Sequence, residues 1–540
     1  MDHRRRRAPR GSGAVSGAVS AAPERGGAEA YLAARVLNAL LREDYGGLSA
    51  RVAHSKDGVA VHLPGRPGAT IRLSPGGLFQ DYVVAPDERP SLRTVLDALA
   101  EVADPADAEG VRAFEAECAA ALRALELHET RREAVLAGID RGDPLRYETL
   151  AAFVDHPVYP TARARHGLSD ADLRAYAPEF APEFELRWAL VPAGRVRATA
   201  PLPWRPPGAP EGEAVFPVHP LSAAAVAEIP GVRLLPEPHL AVRPTLSMRT
   251  VAAGARTHLK LPLATSTLGL RNRRSIKPGT LADGAAAELL LREIAAREPA
   301  AGGRIALAEE QEHAHAGHEY LAWMVRRLPP GEIVPVAGLL APAPGGRTVI
   351  EEVSGGDVAG FLADYLTVLL RWNVTLFVRY GVALEAHQQN LALVLGDGPP
   401  TLLIKDNDGL LASPGRLREA GVTVPEFADP RMFGDDPHAL ADVFVTITLH
   451  LAAAAVAFGA LPGGLARKLL TDTLGAALEE HGDHPMARLL RARTLDAARL
   501  VGKSMITAGT LVAKSRTGAA DVNKYYGTSG PNYLRRAPGH

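Results

Sequence analysis

A chain of 540 residues is too long for one ordinary hydrophobic core, and the length alone predicts roughly three domains. With 47% hydrophobic and 22% charged residues it reads as globular, and a formal net charge of −1 gives no electrostatic reason to expect nucleic acid or a membrane surface as partner. The single cysteine, Cys118, excludes an intramolecular disulfide and a cysteine-rich zinc site, and it fits a reducing cytoplasm.

Residues 1–27 begin with a basic run, but Gly and Ser interrupt the small-residue stretch after it, so a disordered tail is expected rather than a signal peptide. Helical apolar spacing and an acidic start predict a helix over 28–43. "GVAVHL" and "ATIRLS" alternate between Gly and Pro boundaries and read as strands. A long helical stretch is expected over roughly 91–141. From 184 to 275 short β-like runs ("FELRWALVPA", "VRLLP", "LSMRTVAA", "THLKLPL") predict a mainly antiparallel sheet. After "AAAELLLREIAARE" helices resume around a hairpin-like unit at 376–404 and continue to the end. Residues 443–460 approach membrane-spanning length, but their Ala content and Thr446, Thr448 and His450 predict a buried core helix. The pattern is α+β with three lobes: an N-terminal lobe over 28–183, a sheet-rich one over 184–355 and a helical one over 356–540.

The common nucleotide signatures are absent. "VGKS" at 501–504 lacks the upstream Gly of a P-loop, and a helix-like run is expected before it where a strand is needed. His313, His315 and His318 in "EHAHAGHEY" are expected on a solvated helix face, without the partners of a zinc site.

Four stretches carry more chemistry. In "DHPVYPTARARHGLSDADLRAYAPEF" two prolines stiffen the chain beside His156, and Thr161, Arg163 and Arg165 stand at alternate positions beyond them. An extended segment would aim them one way, toward a carboxylate-rich anion. Ser247, Arg249 and Lys260 fall on successive β-like runs that a hairpin would bring to one surface, a set suited to polyphosphate. "TSTLGLRNRRSIKP" adds Thr267, Arg271, Arg273 and Arg274 directly after. Finally, "EAHQQN" and "IKDNDG" place Glu385, His387, Asn390 and Asp406 between apolar runs; the amide and carboxylate oxygens of Asn390 and Asp406 suit Mg²⁺ completed by phosphates. A protein kinase would use a similar Asn–Asp device, so these residues alone fit a phosphotransferase that forms ADP nearly as well.

Taken in order, these stretches resemble the siderophore synthetases that work independently of non-ribosomal peptide synthetases, the aerobactin-synthetase-like family. The resemblance is carried by His156-Pro157-Val158-Tyr159-Pro160 leading to Tyr176-Ala177-Pro178-Glu179-Phe180, by "FPVHPLS", "PTLSMRTV" and "HLKLPL", and by "EAHQQN" with "KD" after it. It covers residues 145–410 well and the helical C-terminus loosely. Arg163 stands where the family commonly has Lys, and Lys405 where it commonly has Arg. The resemblance implies a cupped-hand fold with ATP between a sheet-rich fingers domain and a helical palm. It implies adenylation of a carboxylic acid, typically citrate or a citrate-derived amide, and its capture by an amine or hydroxyl nucleophile of hydroxamate or diamine type. Carried over, Ser247, Arg249, Thr250, Lys260, Thr267 and Asn390 would hold ATP, and Glu385, Asn390 and Asp406 a Mg²⁺ ion. His156, Thr161, Arg163 and Arg165 would meet the substrate, and His387, Lys260, Arg271 and Arg274 the reacting groups. A homodimer is common among such enzymes.

Overall fold

The first core is built on helix Ala28–Arg42, whose Leu32, Val36, Leu37 and Leu40 recur at helical spacing and are fully buried. They pack against helices Leu92–Val102 and Ala108–Glu129 and a four-stranded antiparallel meander of Val52–Ser55, Gly58–His62, Thr70–Pro75 and Tyr82–Val84. The computed structural model describes residues 27–535 except 67, 77 and 520–523, so the predicted N-terminal tail falls almost wholly outside the described residues. The helical stretch expected over 91–141 is three helices rather than one. The Ser91 hydroxyl caps the first, and Asp104 with Pro105 starts a 3-10 turn before the second.

The second core lies under a nine-stranded antiparallel sheet. Phe184–Val191 pairs on one side with His239–Pro244, and the order runs on through Thr250–Ala252, Thr257–Lys260, Leu321–Arg327 and Glu309–His318. The last of these corrects the reading of "EHAHAGHEY". His313, His315 and His318 sit on a strand, because the segment pairs with Leu321–Arg327 on one side and Arg197–Ala198 on the other, and His313 is buried.

A third, largest core surrounds helix Val358–Thr375, which runs into a π-helical turn at Leu376–Tyr380, and the rod formed by Pro437–Val443, π-helical Phe444–Ala454 and Ala455–Ala460. Both rods are long and apolar enough to cross a membrane, yet 72% and 89% of their most apolar windows are buried inside the fold, as expected for core helices. Beside them a small sheet holds Glu332–Pro335, Leu391–Leu395, Thr401–Ile404 and, in parallel, Ile305–Leu307.

The C-terminal segment returns to the beginning of the chain. Residues Arg499–Gly502 form a strand paired with Thr528–Pro531, which corrects the helix-like run expected before "VGKS". Ile506 and Leu511 then enter the first core, where the buried Glu43 carboxylate accepts the Ile506 and Thr507 N–H groups at 3.1 and 3.0 Å.

Candidate active site

One cavity of about 340 Å³ lies where these regions meet, and its wall carries most of the residues singled out above: His156, Arg163, Arg165, Ser247, Arg249, Thr267, Arg274, Glu385, His387, Asn390 and Asp406.

A tight turn and its register create the cationic side. The Met248 N–H donates to the Thr245 carbonyl at 2.9 Å, the Ser247 hydroxyl accepts from the Thr250 N–H at 3.1 Å, and Thr250 then pairs with Lys260 across the hairpin. Ser247 and Arg249 therefore occupy the turn, with Lys260 on the strand beside it. Lys260 pairs with Met324, and Arg326 lies two residues further along that strand, so both cations point to the same face. Asp406, just past the strand Thr401–Ile404, answers them. Its carboxylate binds the Lys260 ammonium and lies 4.0 Å from both Arg249 and Arg326. Asp408 reaches the same ammonium at 3.3 Å.

Glu310 fixes this arrangement. Its carboxylate takes the Arg326 guanidinium and accepts the Asp406 N–H at 3.0 Å, which holds Asp406 in a left-handed conformation at φ +65°. Met248 (φ +62°) and Leu268 (φ +54°) are also left-handed, and all three line the cavity. Each such non-glycine residue costs on the order of 1–3 kcal/mol, and such strain clusters at functional sites. Burial raises the Asp406 carboxyl, but Lys260, Arg326 and Arg249 more than offset it, so the group stays ionised far below the usual range.

Three guanidiniums face one another here. Burial, then Arg249 and Arg165, push Arg274 down to about 9, so it remains cationic at neutral pH. Burial pushes His156 to about 3 and His387 to about 4, with Lys503 a further cause for both, so both imidazoles are neutral at neutral pH. The His156 Nδ1 accepts the Val158 and Tyr159 N–H groups at 3.2 and 3.0 Å, which leaves the proton on Nε2. The Asn390 amide donates to the Glu385 carbonyl at 3.1 Å and the Asp406 carbonyl at 3.5 Å, so its oxygen is the remaining acceptor.

Four predicted residues take other positions. Residues 160–163 form a turn rather than an extended segment, so the side chains of Thr161, Arg163 and Arg165 do not align. Thr161 donates to the buried Glu117 at 2.5 Å, away from the cavity. Arg163 touches the wall, but its guanidinium is held by Asp155 and His128, both at 2.7 Å. Thr250 is buried in the hairpin, and Arg271 turns to the C-terminal segment, donating to the Ala508 carbonyl at 3.2 Å. Of the basic cluster it is Arg274, with the outward Arg273, that lines the cavity.

Sequence reasoning also missed residues. Lys503 projects into the cavity from "VGKS", a motif set aside because it was weighed only as a P-loop. Asp408 was visible as the second acid of "DND". Glu310, Arg326 and Glu148 carry no local signal; they matter only through contacts made by the fold. Glu148 binds Lys405 at 3.1 Å and accepts the Leu246 N–H at 2.9 Å, tying the Ser247 turn to the hairpin that ends in Asp406.

The cavity gathers arginines around the Asp406 carboxylate, and the fold around it is similar to that of solved siderophore synthetases. Residues 143–341 match the IucA / IucC family. Residues 360–512 match a second family, described as ferric iron reductase FhuF-like transporter, so Glu385, Asn390 and Asp406 fall outside the first match. Among curated relatives, an uncharacterized protein y4xN of Sinorhizobium fredii is 26% identical over 58% of this chain and 60% of its own length. The staphyloferrin A synthase of Staphylococcus aureus is 26% identical over 48% of this chain and 51% of its own length. The alignments thus span little more than half of these relatives. Solved structures match almost end to end. The petrobactin biosynthesis protein AsbB of Bacillus anthracis has a TM-score of 0.74 at 16% identity, covering 94% of this chain and 96% of its own. ATP-bound aerobactin synthetase IucA of Klebsiella pneumoniae has a TM-score of 0.67 at 17% identity, covering 93% and 99%.

Proposed function

We propose that the chain is an ATP-dependent, AMP-forming ligase of siderophore biosynthesis that joins a carboxylic acid, citrate or a citrate-derived amide, to an amine or hydroxyl group in the cytoplasm. The convergence of Arg165, Arg249 and Arg274 on one cavity, beside an Asp406 held by the buried Lys260, carries this reading. A carboxylate attacking a polyphosphate brings like charges together, and only a dense array of fixed cations makes that approach favourable. The likeness to an ATP-bound synthetase and to a staphyloferrin synthase supports it.

In this reading Ser247, Arg249 and Lys260 hold the phosphates, and Arg165 with the His156 Nε2–H orients the acid. A carboxylate oxygen of the acid forms a bond to the α-phosphorus as the bond to the β-phosphate oxygen breaks, and pyrophosphate leaves. The nucleophile then attacks the acyl carbon, AMP departs and the nucleophile loses its proton. Arg274 lines the same wall and feels the charges of Arg249, Asp406 and Arg165, suited to the charge that develops in both steps. His387, neutral at working pH, donates or accepts at the phosphate or the carboxylate. Among the described residues no three His, Cys, Asp or Glu side chains form a metal cage. Asp406 and the Asn390 oxygen, with Glu385 on the same wall, would suit an ion such as Mg²⁺ that takes one or two carboxylates and completes its shell with phosphate. Bound there, Mg²⁺ would neutralise phosphate charge.

The test is the nucleotide product. Incubation with ATP, one of citrate, 2-oxoglutarate or a succinylated diamine, and hydroxylamine as nucleophile is expected to give AMP and pyrophosphate. ADP would instead indicate a kinase-like phosphotransferase. The FhuF-like match favours a second reading, a binder or carrier of iron chelates, and chelate binding without nucleotide turnover would select it.

A further inference from the structure

The main cavity has a side cleft. Leu451, Lys503 and Met505 line both, and beyond them a space of about 30 Å³ continues between Leu78, Phe79, Val158 and Leu500. That is room for about two or three water-sized groups, the length of a short aliphatic arm. The polar side chains in its wall are mostly engaged within the fold. Thr446 donates to the Asp442 carbonyl at 2.7 Å, and His450 is held at both nitrogens, by the Tyr533 hydroxyl at 2.8 Å and the Val501 carbonyl at 2.9 Å.

Arg42 is the exception. It lines the cleft but not the main cavity, its side chain is only 8% exposed, and its partner, the Glu43 carboxylate, stands at 3.3 Å. Glu43 shares that charge with three other donors, the Ile506 and Thr507 N–H groups and the Thr507 hydroxyl. The Arg42 charge is thus incompletely answered from within, and its field, with that of Lys503, reaches His156 in the main cavity. An apolar passage with a cation at its mouth and another beyond complements a molecule that has an anion at the end of a short apolar chain.

We propose that this cleft is a specificity subsite, in which Arg42 receives a carboxylate carried on a short aliphatic arm of one of the two condensing substrates. Its catalytic consequence rests on the ligase reading above; the binding itself does not.

Calorimetry tests the binding without turnover. Glutarate, with a carboxylate at each end of three methylenes, is expected to bind the full chain at least tenfold more tightly than pentanoate, and Arg42→Gln is expected to abolish that preference while Arg42→Lys keeps part of it. Equal binding of the two acids by the unaltered protein would overturn the subsite, whatever the variants do. So would glutarate affinity unchanged in a folded Arg42→Gln protein. Kinetics then separate the two sources of the arm. With hydroxylamine as nucleophile, a tenfold rise in KM for the acid in Arg42→Gln places the arm on the acid. A rise confined to lysine or ornithine, with cadaverine and putrescine unaffected, places it on the amine. Arg42-dependent glutarate binding without pyrophosphate release from any acid would sustain the subsite and sink the ligase reading.

Discussion

Lys260 and Asp406 are joined by an ion pair that links the nine-stranded sheet to the small sheet beside the helical core, and the lysine side chain is only 2% exposed. The two residues proposed to hold phosphate and metal thus hold each other. Asp406→Asn keeps a residue that tolerates the left-handed backbone, so its effect reports charge rather than strain. We expect it to lower the rate of pyrophosphate release by about 10²–10³, the usual cost of one preorganised charged contact. Lys260→Met leaves a buried carboxylate short of a cation, and breaking such a pair costs about 3–5 kcal/mol. The double variant should be more stable than the sum of the two losses predicts, because it leaves neither charge alone. Strict additivity in denaturant titrations would show that the pair does not couple.

Glu148 and Lys405 give a second prediction. Burial raises the Glu148 carboxyl, but Lys405, the Leu246 N–H and other neighbours more than offset it, so it stays ionised. Lys405→Met should release the Ser247 turn from the hairpin and raise KM for ATP about tenfold or more, on the view that small misplacement of a positioning group costs up to about 10². Lys405→Arg keeps the charge and should recover most of the affinity. A Lys405→Met protein with normal KM for ATP would show that the turn is held by its own hydrogen bonds.

Glu43 should matter at a distance. It anchors Ile506 and Thr507, and Lys503 reaches the cavity from the same segment. Glu43→Ala strands the buried Ile506 N–H, at about 1–3 kcal/mol, and the part-buried Thr507 N–H beside it. We expect limited proteolysis to cut near residue 505 in this variant and not in the unaltered protein, with weaker binding of acid. Unchanged cleavage would place the anchor elsewhere.

How much of this was legible in the sequence depends on the range of the forces involved. Helix Ala28–Arg42 and strand Phe184–Val191 arise from local periodicity and were read correctly. The "EHAHAGHEY" strand was misread because its alternation is broken by neighbouring small residues, and only pairing with Leu321–Arg327 decides it. The turn at 160–163 defeated the rule that alternate residues share a face, which holds only in extended chain. At the site, residues that carry their own chemical signal, such as Asn390 and Asp406, were found. Glu310, Arg326 and Glu148 were not, since each acquires its role by meeting a partner from 80 to 257 positions away.

Acid should destabilise the protein through buried imidazoles. Burial pushes His128, His156, His219 and His258 to about 3 and His387 and His450 to about 4. In the unfolded chain each titrates near about 6.5. Below that pH the unfolded state binds protons the folded state refuses, so stability is complete above about 6.5 and falls as the pH drops toward about 4. His219 isolates the effect, because burial is its sole cause and its Nε2 is buried without a hydrogen-bond partner. Its Nδ1 accepts the Leu221 N–H at 3.2 Å, and His219→Asn keeps an acceptor there without a titrating group. Between pH 7.5 and 5.0 the unaltered protein should lose about 2 kcal/mol more than this variant, measured by denaturant midpoints at each pH. Parallel stability curves for the two proteins would mean that His219 is protonated in the folded state after all.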